Sequence, residues 1–477
     1  MTDLLASRLR EVLPDEAVIT DPVRLRTYEC DGLTYHRATP GVVVLPETAE
    51  QIAAVVRLCQ GFRVPFVARG SGTGLSGGAL PRSDGVLIVT SRMRRVLSID
   101  LANRRAVVEP GVTNLAITEA VRAAGYYYAP DPSSQQICSI GGNVAENSGG
   151  AHCLKYGFTV NHVLGLELVT PDGDIVELSD MDAGYDLLGA FIGSEGTLGI
   201  ATKITVRLSR APAAVTTMLA AFTTIEGGGR AVSAIIGAGI VPAAIEMMDA
   251  LAIEAAEAAV RCEYPAGAGA VLVVELDGPE AEVDLQFAEV DRICREAGAF
   301  EIRVAASAEE RAAIWKGRKS AFAAVGRISP AYIVQDGVVP RTALPEVLAG
   351  IDRLQEEFGI RVANVFHAGD GNLHPLVLFD DAVAGEGERA ELVSGRILDL
   401  CIEYGGSITG EHGVGVDKSR YMPRMFTDED LDTMQLVRCA FDVGNLSNPG
   451  KVFPTPRLCG EIPRVRKEPH PYEAELF

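Results

Sequence analysis

The stretch at residues 65–80, PFVARGSGTGLSGGAL, constrains the fold most, because glycine is concentrated where an apolar run ends. Glycines and small hydroxyl residues alternate in it, at Gly70, Ser71, Gly72, Thr73, Gly74, Ser76, Gly77 and Gly78. Backbone that carries no side chains can turn successive N–H groups toward one point and form a nest for an anion. A flexible surface loop is the alternative that composition allows. We expect a phosphate-binding loop, because a second stretch rich in Gly and Asn follows at 139–150.

Two familiar phosphate-binding motifs do not fit this stretch. The spacing Gly72-x-Gly74-x-x-Gly77 matches a dinucleotide-binding fingerprint, but that fingerprint opens a helix, and Gly77 and Pro81 break one here. A Walker loop is excluded because no Lys-Ser or Lys-Thr follows the glycines. The stretch therefore predicts a phosphate cradle of another kind.

Length and charge limit the classes of protein to which the chain can belong. At 477 residues it is too long for one ordinary core, which predicts two or three domains and room for a bulky cofactor. A formal net charge of -21 disfavours nucleic acid or an anionic membrane surface as partner. The start of the chain lacks the apolar core of a signal peptide, and its longest uncharged runs are shorter than the ~20 residues of a spanning helix. We therefore expect a soluble cytoplasmic protein.

The cysteines limit the class of protein less strongly than length and charge do. Nine of them are scattered along the chain, and none forms a C-x-x-C pair. This pattern is typical of buried reduced thiols. We therefore expect no iron–sulfur cluster in this chain.

Short apolar runs alternate with amphipathic segments through the first half of the chain. Strands are predicted at 41–45, 64–68, 86–90, 106–109, 163–170 and 202–208. Thr48 and Gln51 form a capping box that predicts a helix after them. The stretch at 130–157 is too rich in Gly, Ser, Asn and Pro for regular structure, and a loop of that length is usually functional. The pattern favours an α+β domain with three glycine-rich turns, the third at 193–199.

Five motifs together resemble a known family. The stretches RGSGTGLSGG, PDPSSQQICSIGGNVAENSGG and FIGSEGTLGI resemble the FAD-binding signatures of the vanillyl-alcohol-oxidase type flavoproteins. The stretches ANVFHAGDGNLHPLVLFD and GSITGEHGVG extend the resemblance to the branch that oxidises D-2-hydroxy acids. The resemblance covers nearly the whole chain, and the motifs are specific in combination.

The resemblance implies that FAD is the cofactor and predicts where it binds. Some relatives attach flavin through a His in the first glycine stretch, but Thr73 and Leu75 stand there, so we expect non-covalent FAD. His152 and His162 lie near the second stretch, and we interpret both as structural. The residues that the resemblance places around FAD are Arg69, Gly70, Ser71, Gly72, Thr73, Gly74, Ser76, Gly77, Pro130, Ser133, Ser139, Gly141, Gly142, Asn143, Ala145, Asn147, Ser148, Gly149, Tyr156, Gly157, Glu195, Gly196, Ile200 and Asn448.

The domain organisation follows from the same resemblance and from composition. We predict an FAD-binding domain at 1–210 and an α/β cap domain, with the substrate and metal sites, at 211–420. A helical segment at 421–460 would return to the FAD-binding domain. The charged, proline-rich end at 461–477 is predicted to be an extended tail.

A predicted hairpin brings two histidines together. Asp370-Gly371 lies between two apolar runs, which is a strong signal for a two-residue turn. If those residues form the turn, His367 faces His374, with their Cβ atoms ~4.5–5.5 Å apart. With Glu411 from the loop GEHGVG, two nitrogens and a carboxylate could hold a metal and leave positions open. The alternative is a histidine pair that stabilises the hairpin, with an ordinary loop Glu.

The resemblance assigns chemical roles to these residues. Related 2-hydroxy-acid dehydrogenases place a divalent metal on residues that match His367, His374 and Glu411. Ligand type permits Zn, Mn or Fe, and we favour Zn because flavin already accepts the electrons. His412 is the candidate general base, with a bystander in the loop as the alternative. Arg318 would bind the substrate carboxylate, although it and its neighbours Lys316, Lys319 and Arg327 could form a solvated helix face.

These roles predict the oxidation of a small 2-hydroxy acid to a 2-oxo acid, with hydride transfer to flavin N5. Val334 stands where dehydrogenases of a dicarboxylate carry a lysine, which favours glycolate, oxidised to glyoxylate, as substrate. A D-lactate or broader D-2-hydroxy-acid dehydrogenase is the alternative. A flavin-binding assembly subunit without chemistry is the alternative from another class. It is disfavoured by the joint presence of His367, His374, Glu411 and His412.

The resemblance also implies partners. By that resemblance, a second FAD-family subunit and an iron–sulfur subunit would take the electrons onward, and the absence of clustered cysteines in this chain is compatible with that division. Such a complex would place the chain at the inner face of the membrane only peripherally and through its partners.

Overall fold

The computed structural model describes residues 2–454. Its first sheet contains the strand that leads into the glycines of the stretch at 65–80. The strands of this sheet are β1 (Val18–Ile19), β2 (Val42–Val44), β3 (Phe66–Arg69) and β4 (Val86–Val89). They lie in the order β1-β2-β4-β3, with β2, β4 and β3 parallel and β1 antiparallel to β2. Because β3 ends at Arg69, the glycine stretch leaves the carboxyl end of a parallel strand.

Seven helices of the first half of the described chain accompany two sheets. They are α1 (Thr2–Val12), α2 (Pro22–Leu25), α3 (Ala49–Phe62), α4 (Asn114–Val121), α5 (Ile140–Glu146), α6 (Cys153–Tyr156) and α7 (Leu187–Phe191). The predicted cap of α3 is present, since the Thr48 side chain accepts a hydrogen bond from the Gln51 backbone N–H. The buried face of α3, which includes Ile52, Val55 and Val56, packs on the first sheet.

An antiparallel sheet forms the second layer. Its region contains β5 (Val96–Asp100), β6 (Arg105–Val108), β7 (Tyr126–Tyr127), β8 (Val163–Val169), β9 (Ile175–Ser179), β10 (Ile200–Arg207) and β11 (Ser209–Arg210). The sheet runs in the order β5-β6-β10-β8-β9, and β7 pairs separately with β11. The core between this sheet and helices α4 and α5 includes Ile117, Ile140 and Val144.

The prediction that residues 130–157 lack regular structure is wrong, because α5 and α6 lie within them. Ser139 begins α5 by accepting a hydrogen bond from the Gly142 backbone N–H. Glycine in a helix costs about 1 kcal/mol relative to alanine, so composition alone argued against this helix. Ile140 and Val144 are fully buried, and this packing outweighs the low helix propensity.

The second half of the described chain is built on a larger sheet with helices on both faces. Its strands are β12 (Ala214–Phe222), β13 (Ala244–Asp249), β14 (Ala270–Gly278), β15 (Ala299–Val304), β16 (Ala331–Val334), β17 (Gly337–Val338), β18 (Val362–His367), β19 (Asn372–Leu373) and β20 (Pro375–Phe379). The main path is β15-β12-β14-β13-β18-β19-β17, and β20 pairs with β18 and β16. Strand β14 is apolar on both faces from Ala270 to Val274, because each face there meets a helical layer.

Six helices of the described chain cover that sheet, and two more follow it. These are α8 (Ile225–Gly237), α9 (Ala250–Val260), α10 (Glu280–Glu296), α11 (Ala308–Val325), α12 (Leu344–Phe358), α13 (Glu386–Glu403), α14 (Met422–Met425) and α15 (Asp428–Phe441). Helices α8, α10, α12 and α13 pack on one face, and α9 and α11 pack on the other. Helix α11 therefore lies on the face of the sheet to which every second residue of β13 and of β18 points.

The predicted pairing of His367 with His374 is wrong. Strand β18 pairs His367 with Asn372, and its other end pairs Val362 with Val377. The turn is longer than two residues, since Asp370 accepts a hydrogen bond from the Asn372 backbone N–H across it. His374 becomes the diagonal neighbour of His367 on the same face, and the two rings lie 5.0 Å apart.

The end of the described chain returns to the first sheet. The Phe66 backbone N–H donates to the Leu446 carbonyl at 2.8 Å, and the Asn448 N–H donates to the Phe66 carbonyl at 2.8 Å. The predicted domain boundaries remain predictions, and the predicted tail at 461–477 lies outside the described residues. Within residues 2–454, every helix is too short or too polar to cross a bilayer.

Candidate active site

A cavity of about 1390 Å³ lies between the two halves of the chain. One wall consists of the glycine stretch, helix α5 and the third glycine turn. The opposite wall consists of residues from α11, β16 and β20 and of the loop that carries Glu411 and His412. The motifs predicted to bind FAD and the motifs that carry the predicted metal ligands therefore face the same cavity.

Most of the residues predicted to bind FAD line this cavity. Those that do are Arg69, Gly70, Ser71, Gly72, Thr73, Gly74, Ser133, Ser139, Gly141, Gly142, Asn143, Ala145, Ser148, Glu195, Gly196 and Ile200. Glycine is required here by close packing: a Cβ at Gly70 would lie 2.0 Å from Ser139 Oγ, and one at Gly141 would lie 2.7 Å from Pro110 Cβ. The wall therefore presents backbone to the cavity, as a cradle for a nucleotide requires.

The other predicted FAD residues lie behind the cavity wall. They are Ser76, Gly77, Pro130, Asn147, Gly149, Tyr156, Gly157 and Asn448. Asn448 Nδ2 donates to the carbonyls of Gly78 and Glu195, at 3.0 and 2.5 Å. Asn448 thereby joins two glycine turns to the end of the described chain.

Ser76, Tyr156 and the neighbouring cradle residues connect the halves of the chain. The Ser76 carbonyl accepts from the backbone N–H groups of Val416 and Asp417, each at 3.1 Å. The Tyr156 hydroxyl lies 2.6 Å from a carboxylate oxygen of Asp277 on β14. The structure therefore places these residues at the seam between the halves, beyond the surface that faces the cavity.

Glu195 ties the third glycine turn to the loop at 407–417. Its two carboxylate oxygens accept from the N–H groups of Val414 and Gly415, at 2.6 and 2.7 Å. Glu146 lies beside the same loop, and one of its oxygens is buried without a hydrogen-bond partner. Burial raises the pKa of Glu146 well above its usual range, and the neighbouring Glu195 raises it further. Sequence motifs marked Glu195 but not Glu146.

The three predicted metal ligands come together. Glu411 Oε1 lies 3.0 Å from His367 Nε2 and 3.3 Å from His374 Nε2. Three ligands of a tetrahedral ion lie roughly 3.3 Å apart when each bond is about 2.0–2.1 Å. Both ring nitrogens of His374 are buried without a hydrogen-bond partner, and a cation shared by Nε2 and Glu411 Oε1 would satisfy the nitrogen that faces the cluster. The residues present therefore fit a divalent ion.

Asp336, which sequence reasoning missed, holds the loop that carries Glu411 and His412. Its carboxylate accepts from the backbone N–H groups of residues 410, 411 and 412, at 2.9 to 3.3 Å. The Lys418 ammonium lies 3.2 Å away, and both side chains are buried. Burial alone would raise the pKa of Asp336, but the Lys418 ammonium holds it well below its usual range.

His412 lies in the same cluster, with its ring stacked on His374 at 4.9 Å. Its Nδ1 lies 4.0 Å from Asp336 Oδ2 and has no hydrogen-bond partner. Burial lowers the pKa of His412 to about 4, against the opposing charge of Asp336. The imidazole is therefore neutral at pH 7 and has a lone pair that can accept a proton.

Glu246, on β13, is a second residue that sequence reasoning missed. Its Oε1 lies 2.7 Å from His367 Nδ1, and its Oε2 lies 2.6 Å from Arg318 Nη2. Arg318 is 2% exposed and does not line the cavity, so the structure does not place it against the cavity wall. Lys319, the next residue of α11, does line the cavity. The signal in the sequence is an acidic residue in the middle of the mainly apolar strand AIEMMD.

The two histidines interpreted as structural lie away from the cavity. His152 lies 2.9 Å from Asp131 and 3.2 Å from Glu275 of β14. Glu275 also binds Arg311 at 2.6 Å, so this cluster links α6 to the larger sheet. His162 contacts the Tyr156 carbonyl at 2.8 Å.

A glycine-rich cradle and a cluster of ionisable side chains that face one cavity are typical of an enzyme that binds a nucleotide cofactor. Family models agree with this: residues 40–179 match "FAD binding domain", and residues 211–452 match "FAD linked oxidases, C-terminal domain". The chain belongs to the FAD-linked oxidase family, and FAD is its cofactor. The prediction of an FAD-dependent oxidoreductase is confirmed.

Similar curated proteins come from several bacteria. Glycolate oxidase subunit GlcD of Escherichia coli K12 is 51% identical, over 95% of this chain and 92% of that protein. The subunit of the same name from Bacillus subtilis is 39% identical, over 89% and 92%. A D-lactate dehydrogenase of Anaerostipes hadrus is 30% identical, over 95% and 98%.

Solved structures confirm the predicted fold class. A p-cresol methylhydroxylase matches with a TM-score of 0.79 at 16% identity, over 94% of this chain and 96% of that one. A 4-ethylphenol oxidase from Gulosibacter chungangensis matches with a TM-score of 0.77 at 19% identity, over 95% and 97%. At these identities the likeness concerns the fold alone.

Proposed function

We propose that the chain oxidises glycolate to glyoxylate, with non-covalent FAD and with a divalent metal on His367, His374 and Glu411. One observation carries the proposal: the metal-ligand cluster and a neutral histidine, His412, lie at the wall of the same cavity as the glycine cradle. The relatives named glycolate oxidase subunit support the choice of substrate. The D-lactate dehydrogenases at lower identity keep D-lactate as the second candidate.

The residues of this chain divide the chemistry between them. When bound, FAD accepts a hydride from the substrate carbon, and the metal acts as a Lewis acid toward the hydroxyl oxygen. His412 is the general base, because it is neutral and lies in contact with the ligand cluster. Asp336 fixes the backbone of Glu411 and His412, so the base and the ligand keep their relative position. We favour Zn, since nitrogen and carboxylate ligands suit it and no redox change is required of the metal.

The cavity wall favours a small substrate. Phe322, Tyr332 and Val334 line the cavity, and the Phe322 ring contacts the His374 ring edge-on at 5.6 Å. Arg318 lies behind Phe322 and is paired with Glu246, so Lys319 is the better-placed cation of α11 for a substrate carboxylate. With Val334 in place of a second cation, this wall suits a monocarboxylate.

We also propose that the chain works within a complex. The relatives are named subunits, and the likeness to them extends over nearly the full chain. A second FAD-family subunit and an iron–sulfur subunit would carry electrons onward, at the inner face of the membrane.

Anaerobic mixing tests the proposal. Purified protein reconstituted with FAD is mixed with glycolate, D-lactate or L-lactate, and flavin absorbance is followed by stopped flow. Glycolate should bleach the flavin fastest, D-lactate more slowly, and L-lactate not at all. Faster bleaching by D-lactate favours the second candidate, and a flavin that stays yellow with both acids refutes the proposal in favour of an assembly subunit.

The metal and the base are tested by variants. His374→Ala should retain FAD and lose both its metal and glycolate-dependent bleaching. His162→Gln is the matched control, because His162 is a buried histidine away from the cavity and Gln keeps a donor for the Tyr156 carbonyl. Bleaching of His374→Ala at the wild-type rate would show that the chemistry does not need this site.

A further inference from the structure

We propose that Glu246 is a positioning residue that fixes the orientation and tautomer of His367 for metal binding. This inference depends on the proposed metal site. Glu246 lines no part of the cavity and carries no motif, and it lies on β13, 121 residues from His367 along the chain. Its contacts, however, join the ligand His367 to Arg318.

The tautomer follows from the geometry of the two neighbours. Metal binding through Nε2 would leave the hydrogen of His367 on Nδ1, and Nδ1 lies 2.7 Å from a carboxylate oxygen of Glu246 that can accept it. Nε2 faces Glu411 and His374, the two other residues of the ligand cluster. A histidine that binds a metal through one nitrogen is commonly fixed by a carboxylate on the other, and the carboxylate raises its basicity. Glu246 supplies that carboxylate here.

A purely stabilising role explains Glu246 poorly. Its side chain is 1% exposed within an otherwise apolar strand, and Arg318 is 2% exposed. Replacing a buried ion pair with apolar residues is often neutral or stabilising, so stability alone does not require this pair. The 2.6 Å contact with Arg318 is an ion pair whose angle is not that of a hydrogen bond, whereas the contact with His367 is a hydrogen bond. The better-formed interaction is the one with the metal ligand.

The arrangement also assigns a role to Arg318. A carboxylate buried with no cation would accept a proton instead of staying charged. Arg318 Nη2 lies 2.6 Å from Glu246 Oε2 and supplies that cation, while Glu246 Oε1 faces His367. Arg318 therefore supports the metal site through Glu246.

Metal affinity tests the proposal. The variants are Glu246→Gln, whose amide oxygen still accepts from His367, and Glu246→Ala, which removes the acceptor. Asp249→Asn is the matched control: Asp249 is on the same strand and accepts hydrogen bonds from Asn364 and from the Ala252 N–H that begins α9, and asparagine keeps one side-chain oxygen as an acceptor at that helix start. Metal content is measured by mass spectrometry and affinity by competition with a chelator, with FAD occupancy read from visible absorbance.

We expect Glu246→Ala to weaken metal affinity by about 10- to 100-fold, and Glu246→Gln to weaken it less, with FAD occupancy unchanged in both. Asp249→Asn should keep wild-type affinity. Wild-type affinity in both Glu246 variants would overturn the proposal, as would a loss of FAD that parallels the loss of metal. If Glu246→Ala fails to fold, Glu246→Gln decides alone.

The two proposals fail in different ways. If the wild-type protein binds no divalent metal and reduces its flavin with glycolate regardless, the proposed metal site is wrong. If the wild-type protein needs its metal and the Glu246 variants bind it normally, only the role of Glu246 is wrong.

Discussion

Asp336→Asn should release the loop that carries Glu411 and His412 while leaving the FAD cradle in place. The carboxylate of Asp336 accepts from three consecutive backbone N–H groups and from the Thr409 hydroxyl, and it pairs with Lys418. An asparagine keeps one oxygen that accepts hydrogen bonds. Its NH₂ group would face backbone N–H groups, which are donors as well, so those contacts are lost. The Lys418 ammonium, 1% exposed, then loses its opposite charge.

The expected size of the effect follows from these contacts. Breaking a buried ion pair by removing one partner costs about 3–5 kcal/mol. Every 1.4 kcal/mol is a factor of ten, so local opening should become about 100 to 4000 times more frequent. Hydrogen exchange of residues 409–415 measures that opening directly, because the loop amides exchange when the contacts with Asp336 are broken. We expect this loss of protection together with weaker metal binding.

A double-mutant cycle separates the ion pair from the backbone contacts. Lys418→Met removes the cation, and Asp336→Asn combined with Lys418→Met should restore part of the lost protection, because no unpaired charge is left. The backbone contacts remain lost, so metal binding should stay weak in the double variant. Unchanged exchange of the loop amides in Asp336→Asn, or additive effects in the cycle, would refute this account of the loop.

Two further predictions concern the seam and the hairpin. Burial would lower the pKa of His152, but Asp131 and Glu275 raise it from 6.5 to about 10. The stability that the charged His152 contributes is therefore full below about pH 6.5 and falls as the pH rises toward 10. Denaturant midpoints should decline over that pH range, and the decline should be smaller in His152→Gln. Both Gly371 (φ +81°) and Gly405 (φ +77°) have left-handed backbone, and Gly405→Ala should destabilise the protein by roughly 1–2 kcal/mol. Gly371→Ala should destabilise it more, because a Cβ at residue 371 would also lie 2.1 Å from a backbone carbonyl oxygen. Equal denaturant midpoints for the two variants would contradict this.

Local signals in the sequence predicted the elements that depend on neighbouring residues. The capping residues Thr48 and Gln51 located α3, and the glycine stretches located most of the cavity wall. The same local reasoning failed for α5, where burial of Ile140 outweighs the glycines. It also failed for the hairpin register, because the side chain of Asp370 makes a longer turn than Asp-Gly usually forms. His367 and His374 still lie close together, because diagonal neighbours on two paired strands point to the same face of the sheet.

The residues that organise the site could not be predicted, because their partners are distant in the chain. Asp336 reaches Lys418 over 82 residues, and Glu246 reaches His367 over 121. Each is a lone acid near an apolar strand, a pattern that many surface acids share. Only the paired strands β13 and β18 bring Glu246 opposite His367, and that pairing is a property of the folded sheet.

The loop at 407–417 explains why the site requires both halves of the chain. Its first part is held by the larger sheet, through Asp336 and through the paired backbones of Val338 and Ser407. Its last part is held by the FAD-binding half, through Glu195 and the Ser76 carbonyl. Glu411 and His412 lie where these two sets of contacts meet, whereas His367 and His374 belong to the larger sheet alone. The contacts of residues 410–412 with Asp336 keep Glu411 beside His367 and His374, while the contacts of Glu195 with Val414 and Gly415 join the same loop to the wall that carries the glycine turns.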